Sequence, residues 1–305
     1  MTIDFELRQA GDADVDGVLQ ALSDGYGRPF TREWFDWKHR SSPWGPSRCV
    51  VAVDDGGLLG VGFAMPWPMV EDDGPTRLAR LVDGATTVRS QRRGVFRAVV
   101  RQLLDDAGVG GEGANSGGLV LATATPEARA AHVKNGATAL EPIGAFYRPV
   151  RWAPAALVDG DELLDTYRTG GGGDGLRTGW DAASLRWRLD PRSGATSRVS
   201  GLAGADTAHG VVHRVVGRTG RRVLVVVAAW GPSATVDRAV RAIAWREKAV
   251  AVLQNCGPGT DFPAPRVGLR RGSSLMCVWD DRAGRSPALQ RDRWHLNGLD
   301  IEGAI

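Results

Sequence analysis

The residues with the clearest capacity for chemistry stand together at Gln91-Arg92-Arg93-Gly94, a short basic turn that holds a glycine. Apolar and β-branched residues precede it (Leu81, Val82, Ala85, Thr86, Thr87, Val88), and that pattern predicts a strand. After it, Phe96, Val99, Val100, Leu103, Leu104 and Ala107 recur at helical spacing, which predicts an amphipathic helix with one face seeking a core. A glycine turn feeding a helix leaves the helix's first N–H groups unpaired and converging on one point, with the positive end of the helix dipole behind them. The chemistry that such a turn supports is the holding of an anion.

Composition sets the frame around it. The chain has 305 residues, 43% of them apolar, enough for two domains of ordinary size. A formal net charge of +3 and a pI of about 9.0 reflect a small excess of Arg rather than a basic tail, and suit an anionic small molecule better than nucleic acid. Cys49, Cys256 and Cys277 lack CxxC spacing, so neither a disulfide framework nor a thiolate zinc site is indicated and a reducing interior is expected. No His/Cys/Asp cluster has metal spacing, and no Gly-x-Ser-x-Gly marks a serine nucleophile. The first residues are too acidic and polar for a signal peptide, and no run of about 18 apolar residues is present to span a bilayer. The expectation is a cytoplasmic protein, monomer or homodimer, without membrane or nucleic-acid partners.

The elements that must position the turn follow from periodicity. A strand is predicted at residues 5–8, a helix at 12–22, and a second helix with Thr31 as N-cap and an aromatic stripe of Trp34, Phe35 and Trp37. Trp34, Trp37, Trp44 and Trp67 are expected in the core or as cleft walls. Strands at 47–53 and 58–66, joined by Asp54-Asp55-Gly56-Gly57, then lead to the strand before the basic turn. Beyond the helix come a glycine-rich loop at 108–118 and a short apolar strand at 119–124. Thr125-Pro126-Glu127 follows, with the signature of a helix start, and Gly136 is placed as that helix's C-cap. A strand at 143–150 is expected to close this half. Residues 151–168 read as a connecting helix, and the glycines at 170–175 as a flexible joint.

The second half echoes the first. Trp37 and Trp187 each stand ten residues ahead of a Ser-Arg pair (Ser47-Arg48 and Ser197-Arg198), with Pro and Gly between. Strands are predicted at 198–202, 210–216 and 222–230, then Gly231-Pro232-Ser233 and an amphipathic helix bearing Val236, Ala239, Val240, Ile243 and Ala244. Two copies of one α/β unit are inferred. The second turn carries no basic cluster and has Asp237 in its helix, so an anion site is expected in the first copy alone.

Gln91-Arg92-Arg93-Gly94-Val95-Phe96 resembles the Q/R-x-x-G-x-G/A signature of the GNAT superfamily of N-acyltransferases, with Gln91 and Gly94 matching and Phe96 at the usual Gly/Ala position. The resemblance covers about residues 1–150, with the second half a degenerate copy. It implies that a bulged strand runs into this turn and that its backbone N–H groups hold the pyrophosphate of acetyl-CoA or a related acyl-CoA. The implied binding residues are Thr87, Val88, Gln91, Arg92, Arg93, Gly94, Val95 and Phe96. In the family's second signature a Tyr often protonates the departing thiolate. Aligning Gly136 with the family Gly puts His132 at that position, and an imidazole is chemically able to do the same. Asp83, on the strand approaching the donor, is the first candidate for the general base that takes the amine's proton. The chain ends at 293–302 in what resembles a closing strand with an acidic tail.

The expected fold is therefore α/β: two GNAT-like units, each a mixed, mostly antiparallel, twisted sheet flanked by helices, at 1–150 and 176–305 around a linker at 151–175. The expected activity is acyl transfer, most simply acetyl transfer, from CoA to the primary amine of a small molecule such as an amino sugar or secondary metabolite, without a metal. The amine would enter a cleft formed by both units and attack directly, with strand N–H groups near residues 86–88 polarising the carbonyl. Two other classes stay open: a different acyl-thioester reaction on the same scaffold, and a non-catalytic acyl-CoA sensor.

Overall fold

A computed structural model of the chain describes residues 5–72, 74–109, 118–141, 144–167, 175–194, 196–218, 220–256, 269–271, 275–281, 287–290, 293–296 and 298–300. Most of the two glycine-rich joints and the last five residues lie outside the described residues. In chain order the elements are β1 (Glu6–Gln9), α1 (Val15–Tyr26), α2 (Arg32–Phe35), β2 (Arg48–Asp54), β3 (Gly57–Glu71), β4 (Gly74–Thr86), α3 (Val95–Asp106), β5 (Leu119–Ala124), α4 (Pro126–Lys134), β6 (Thr138–Leu140) and β7 (Gly144–Pro149). They continue with β8 (Leu157–Asp159), β9 (Leu176–Thr178), α5 (Ala182–Arg188), β10 (Arg198–Leu202), β11 (Gly210–Arg218), β12 (Arg221–Trp230), α6 (Ser233–Arg246), β13 (Ala251–Cys256), β14 (Leu269–Arg271), β15 (Leu275–Asp280) and β16 (Trp294–His295). Among the described residues no helix is long and apolar enough to cross a membrane.

Local chemistry accounts for the element ends. Thr31 caps α2 by accepting from the Trp34 amide at 3.1 Å, and Thr125 caps α4 by accepting from Ala128 at 3.3 Å, with Pro126 in the first helical position. The Asp54 carboxylate accepts from the Gly56 amide at 2.9 Å and so shapes the β2–β3 turn.

The contacts divide the chain into two compact units that interleave along the sequence: Met1–Pro68 with Thr76–Glu141 and Leu275–Gln290, and Met69–Pro75 with Pro142–Ser274 and Arg291–Ile305. In the first, the sheet runs β1-β2-β3-β4-β5-β15-β6, with β4 and β5 parallel. In the second it runs β8-β10-β11-β12-β13-β7-β14, with β12 and β13 parallel. The two orders correspond position by position, so one strand arrangement occurs twice. β7, expected to close the first unit, instead pairs antiparallel with β13, and the corresponding place beside β5 is taken by β15. The helix expected at 151–168 is also replaced. Pro154 lacks the N–H a helix interior needs, and Leu157–Asp159 pairs with β10, followed by a short 3-10 turn at Asp161–Thr166. Nor is the chain's end wholly a solvated tail: in the second unit β16 pairs with β9, and buried Asp300 accepts from Thr178 and from Trp180 Nε1 at 3.1 Å.

α3 is held by packing. Val95, Val99, Val100, Leu103 and Leu104 are all buried, against Val50, Leu59, Val120 and Trp279 among others. Three of those five are valines, which helices tolerate poorly, but burial of each side chain contributes roughly 1.5–3 kcal/mol and outweighs a propensity cost below about 1 kcal/mol. The first turn of α3 is thereby fixed beside the end of β4.

Candidate functional site

The turn between β4 and α3 is anchored at its base and open at its tip. The Thr87 amide donates to Leu59 O at 2.9 Å, and the Ser90 hydroxyl donates to the same carbonyl at 2.6 Å, tying the turn to β3. Arg89 is committed as well: its guanidinium bonds both Asp54 carboxylate oxygens, at 2.8 and 2.9 Å, and Gly57 O. Beyond this lock the chain turns left-handed twice, at Arg92 (φ 60°) and Gly94 (φ 83°), before α3 begins. Gly94 reaches that conformation without the Cβ clash other residues meet. The first helical bond is Ala98 N to Gly94 O, and the amides of Arg92, Gly94, Val95 and Phe96 donate to no described group. Gln91 through Gly94 are exposed, and Arg92 and Arg93 have no ion pair among the described residues. Arg97 instead contacts Asn135 and Arg101 pairs with Asp105. Four amides without a described acceptor, beside two cations without a described ion pair, are groups of the kind that could hold a polyanion such as a pyrophosphate.

The structure distributes the expected binding residues unequally. Gln91, Arg92, Arg93, Gly94, Val95 and Phe96 converge on this open turn. Thr87 does not offer its amide, which Leu59 has taken, and exposed Val88 stands between the anchor and the tip. The Phe96 side chain points away from the turn's open side. A Cβ at Gly84 would lie 2.6 Å from its Cε2, so the ring rests on the β4 backbone, and its centroid is 5.7 Å from that of His132.

Next to the turn, β4 leaves its neighbour. Ala79, Arg80 and Leu81 pair with Val120, Leu121 and Ala122, and beyond Leu81 no residue of β4 pairs with β5. Asp83 lies two residues further on and holds a left-handed backbone, φ 48°, inside the strand. Its carboxylate is buried, with Lys38 Nζ at 2.5 Å and His39 Nε2 at 3.3 Å from Oδ2. Burial opposes ionisation there, but the Lys38 charge, helped by His39, outweighs it and holds the group below the usual carboxylate range. A carboxylate so firmly paired will not take a proton near neutrality, which removes the expected general-base role from Asp83.

His132 is likewise changed by its setting. It is buried in α4 between Phe96 and Trp279, the latter centroid 5.2 Å away, and its Nδ1 has no hydrogen-bond partner among the described residues. Burial pushes its pKa down from the ordinary 6.5 to about 4, so at neutral pH it is an uncharged imidazole rather than a ring poised to exchange a proton near neutrality. His213, buried in the second unit with Nε2 2.9 Å from Ser200 Oγ, is also pushed down to about 4 by burial. The unfolded chain protonates each ring near 6.5 and the folded chain only near 4, so stability falls as pH drops through that window. Each ring is expected to cost about 2 kcal/mol by pH 5. Chemical denaturation of His132→Phe at pH 7.5 and pH 5 should show a pH-dependent loss smaller by that amount; an unchanged loss would mean the ring is not held neutral.

A cavity of about 980 Å³ opens at the other end of α3, lined by Trp44, Pro66, Trp67, Leu103, Asp106 and Leu119 among others. A 12-residue helix is about 18 Å long, so this cavity and the anion turn are separate. Trp44 and Trp67 thus wall a cleft, while Trp34 and Trp37 are core. The counterpart of the turn in the second unit, Gly231 and Pro232 ahead of α6, bears no basic side chain, and Asp237 there is paired with Arg148 and Arg241. Sequence patterning missed Lys38 and His39, which it passed over within an aromatic stripe. The available signal was composition: the chain has lysine only at 38, 134 and 248.

Sequence comparison names the domain that holds this turn and the strands beside it. Residues 6–116 match the family model of the acetyltransferase (GNAT) domain, a stretch running from β1 through α3. The first unit carries a GNAT acetyltransferase domain, and the chain is an acyltransferase of the acyl-CoA-dependent class. Comparison with curated proteins gives no match. Among solved structures it is similar to a GCN5-related N-acetyltransferase from Anabaena variabilis (TM-score 0.67, 9% identity, covering 90% of this chain and 72% of that one). One from Kribbella flavida gives TM-score 0.62 at 14% identity over 91% and 71%. The N-myristoyltransferase of Saccharomyces cerevisiae, solved with myristoyl-CoA, gives 0.54 at 10% over 97% and 87%.

Proposed function

We propose that the protein transfers an acetyl group from acetyl-CoA to the primary amine of a small molecule, such as an amino sugar or secondary metabolite, by direct attack. The observation that carries this reading is the open turn, where the amides of Arg92, Gly94, Val95 and Phe96 meet the uncommitted side chains of Arg92 and Arg93. In this reading the donor's pyrophosphate lies on those groups and its thioester reaches the opening between β4 and β5. The similarity to the yeast enzyme, solved with myristoyl-CoA, supports an acyl-CoA donor. The amine nitrogen bonds to the carbonyl carbon, the carbon–sulfur bond breaks, and CoA leaves as thiolate. His132 meets that sulfur as a neutral hydrogen-bond donor. With Asp83 held by Lys38, the amine's proton passes to water, and the rate comes from alignment and carbonyl polarisation.

The test is release of CoA thiol from acetyl-CoA in the presence of a panel of amino sugars and other small primary amines, with mass spectrometry of the products. Thiol release matched by acetylated amine is expected for at least one class. Binding of acetyl-CoA with no amine acetylated would contradict the proposed acceptor.

A further inference from the structure

Two unfavourable features coincide at Asp83. A residue with a Cβ sits in the left-handed region inside a strand, three residues from its end, where such backbones are rare and strained. Its carboxylate is also buried in a charged cluster with Lys38 and His39, each more than nine-tenths buried. Buried ion pairs commonly stabilise a fold no better than apolar side chains of similar volume, so stability alone gives this strand no reason to carry one. Where such costs collect, a backbone constraint tied to function is the first reading to test.

The elements around Asp83 give the constraint a direction. Lys38 and His39 lie on a single π-helical turn, Asp36–Arg40, continuing α2, an irregularity that occurs mostly at functional sites. The turn is braced. The His39 ring stacks on Phe63 of β3 with centroids 3.8 Å apart, its Nδ1 is 3.0 Å from Ser47 Oγ, and the Ser47 amide donates to His39 O at 2.8 Å. On the other side of the strand, the residue after Asp83 carries the Phe96 ring on its backbone. The left-handed kink is therefore gripped from both faces, two residues beyond the last pairing of β4 with β5.

We propose that Lys38 is a positioning residue for the transfer: by holding the Asp83 carboxylate it fixes the kink in β4, and the kink turns the backbone amides that follow toward the thioester carbonyl of the donor. This rests on the acyl-CoA reading above. Lys38 touches no reacting atom and acts through Asp83 and the strand.

The test uses infrared spectroscopy of bound acetyl-CoA carrying a heavy-carbon carbonyl, which needs no knowledge of the acceptor, with affinity measured alongside. On the wild-type chain the carbonyl band should move to lower frequency, as a polarised carbonyl does. Lys38→Met should lose most of that displacement while its affinity stays within about threefold, because the pyrophosphate grip is elsewhere. Since Lys38→Met leaves an unpaired buried carboxylate, which opposes folding, two doubles that remove both charges decide the matter. Lys38→Met with Asp83→Gly can keep a left-handed residue and should retain the displacement. Lys38→Met with Asp83→Val cannot, and should lose the displacement together with about 100-fold in thiol release. A purely structural role would move melting temperature in both doubles and the band in neither. A folded Val double with the wild-type band, or a wild-type band that does not move on binding, would overturn the proposal and leave the acyl-CoA reading standing. Absence of acetyl-CoA binding by the wild-type chain would overturn both.

Discussion

Gly94→Glu is expected to abolish acetyl-CoA binding, with a loss of more than about 100-fold in affinity and little change in the far-ultraviolet spectrum. Two effects act together. The residue stands at φ 83° as the N-cap of α3, and a side chain with Cβ costs about 1–2 kcal/mol in that region. The new carboxylate would also face the amides of Val95 and Phe96, meeting the donor's phosphates as a like charge. Gly94→Asn separates the effects, since Asn tolerates left-handed backbone and carries no charge. It should keep affinity within about tenfold. Equal losses in the two variants would show that the turn's shape, not its electrostatics, governs the site, and normal binding by Gly94→Glu would place the donor elsewhere.

Residues 1–150 expressed alone are expected not to fold cooperatively, although read along the sequence they form a complete half. β15 lies between β5 and β6 in the first sheet, pairing with six residues of one and three of the other. Met276, Cys277, Val278 and Trp279 are all buried there, and the Trp279 indole donates to Asn135 O at 3.0 Å. At roughly 1.5–3 kcal/mol for each large apolar side chain, their loss matches the whole of a typical domain's 5–15 kcal/mol. The fragment would also carry β7 without its partners β13 and β14. Joining residues 270–290 to the fragment through a flexible linker should restore a cooperative thermal transition followed by circular dichroism. A sharp transition in the unjoined fragment would show that the two units do not depend on the exchanged strands.

These outcomes also mark what patterning along the chain can and cannot specify. The turn and its flanks are readable because their information is local: glycine for a left-handed backbone, period-two residues before it, period-3.6 residues after it. β10, β11, β12 and α6 fall within two residues of where periodicity puts them for the same reason. The exchange of β7 and β15 is not readable, because both are short antiparallel strands of six residues, and alternation names a strand's faces without naming its neighbour. The state of Asp83 is unreadable for a related reason. An acid beside a glycine suggests a strand-end base, but its character is set by Lys38 and His39, residues remote in sequence that only the fold brings to it. His132 shows the same limit: its position comes from the helix start at Thr125, its neutrality from burial between Phe96 and Trp279.

The central claim is that this chain of two units holds one acyl donor, on the turn of its first unit. Calorimetric titration of the full-length chain with acetyl-CoA tests it most directly. The account predicts saturation at one donor per chain, lost in Gly94→Glu and untouched by Pro232→Glu at the counterpart turn. No heat of binding, or saturation at two donors per chain, would contradict it.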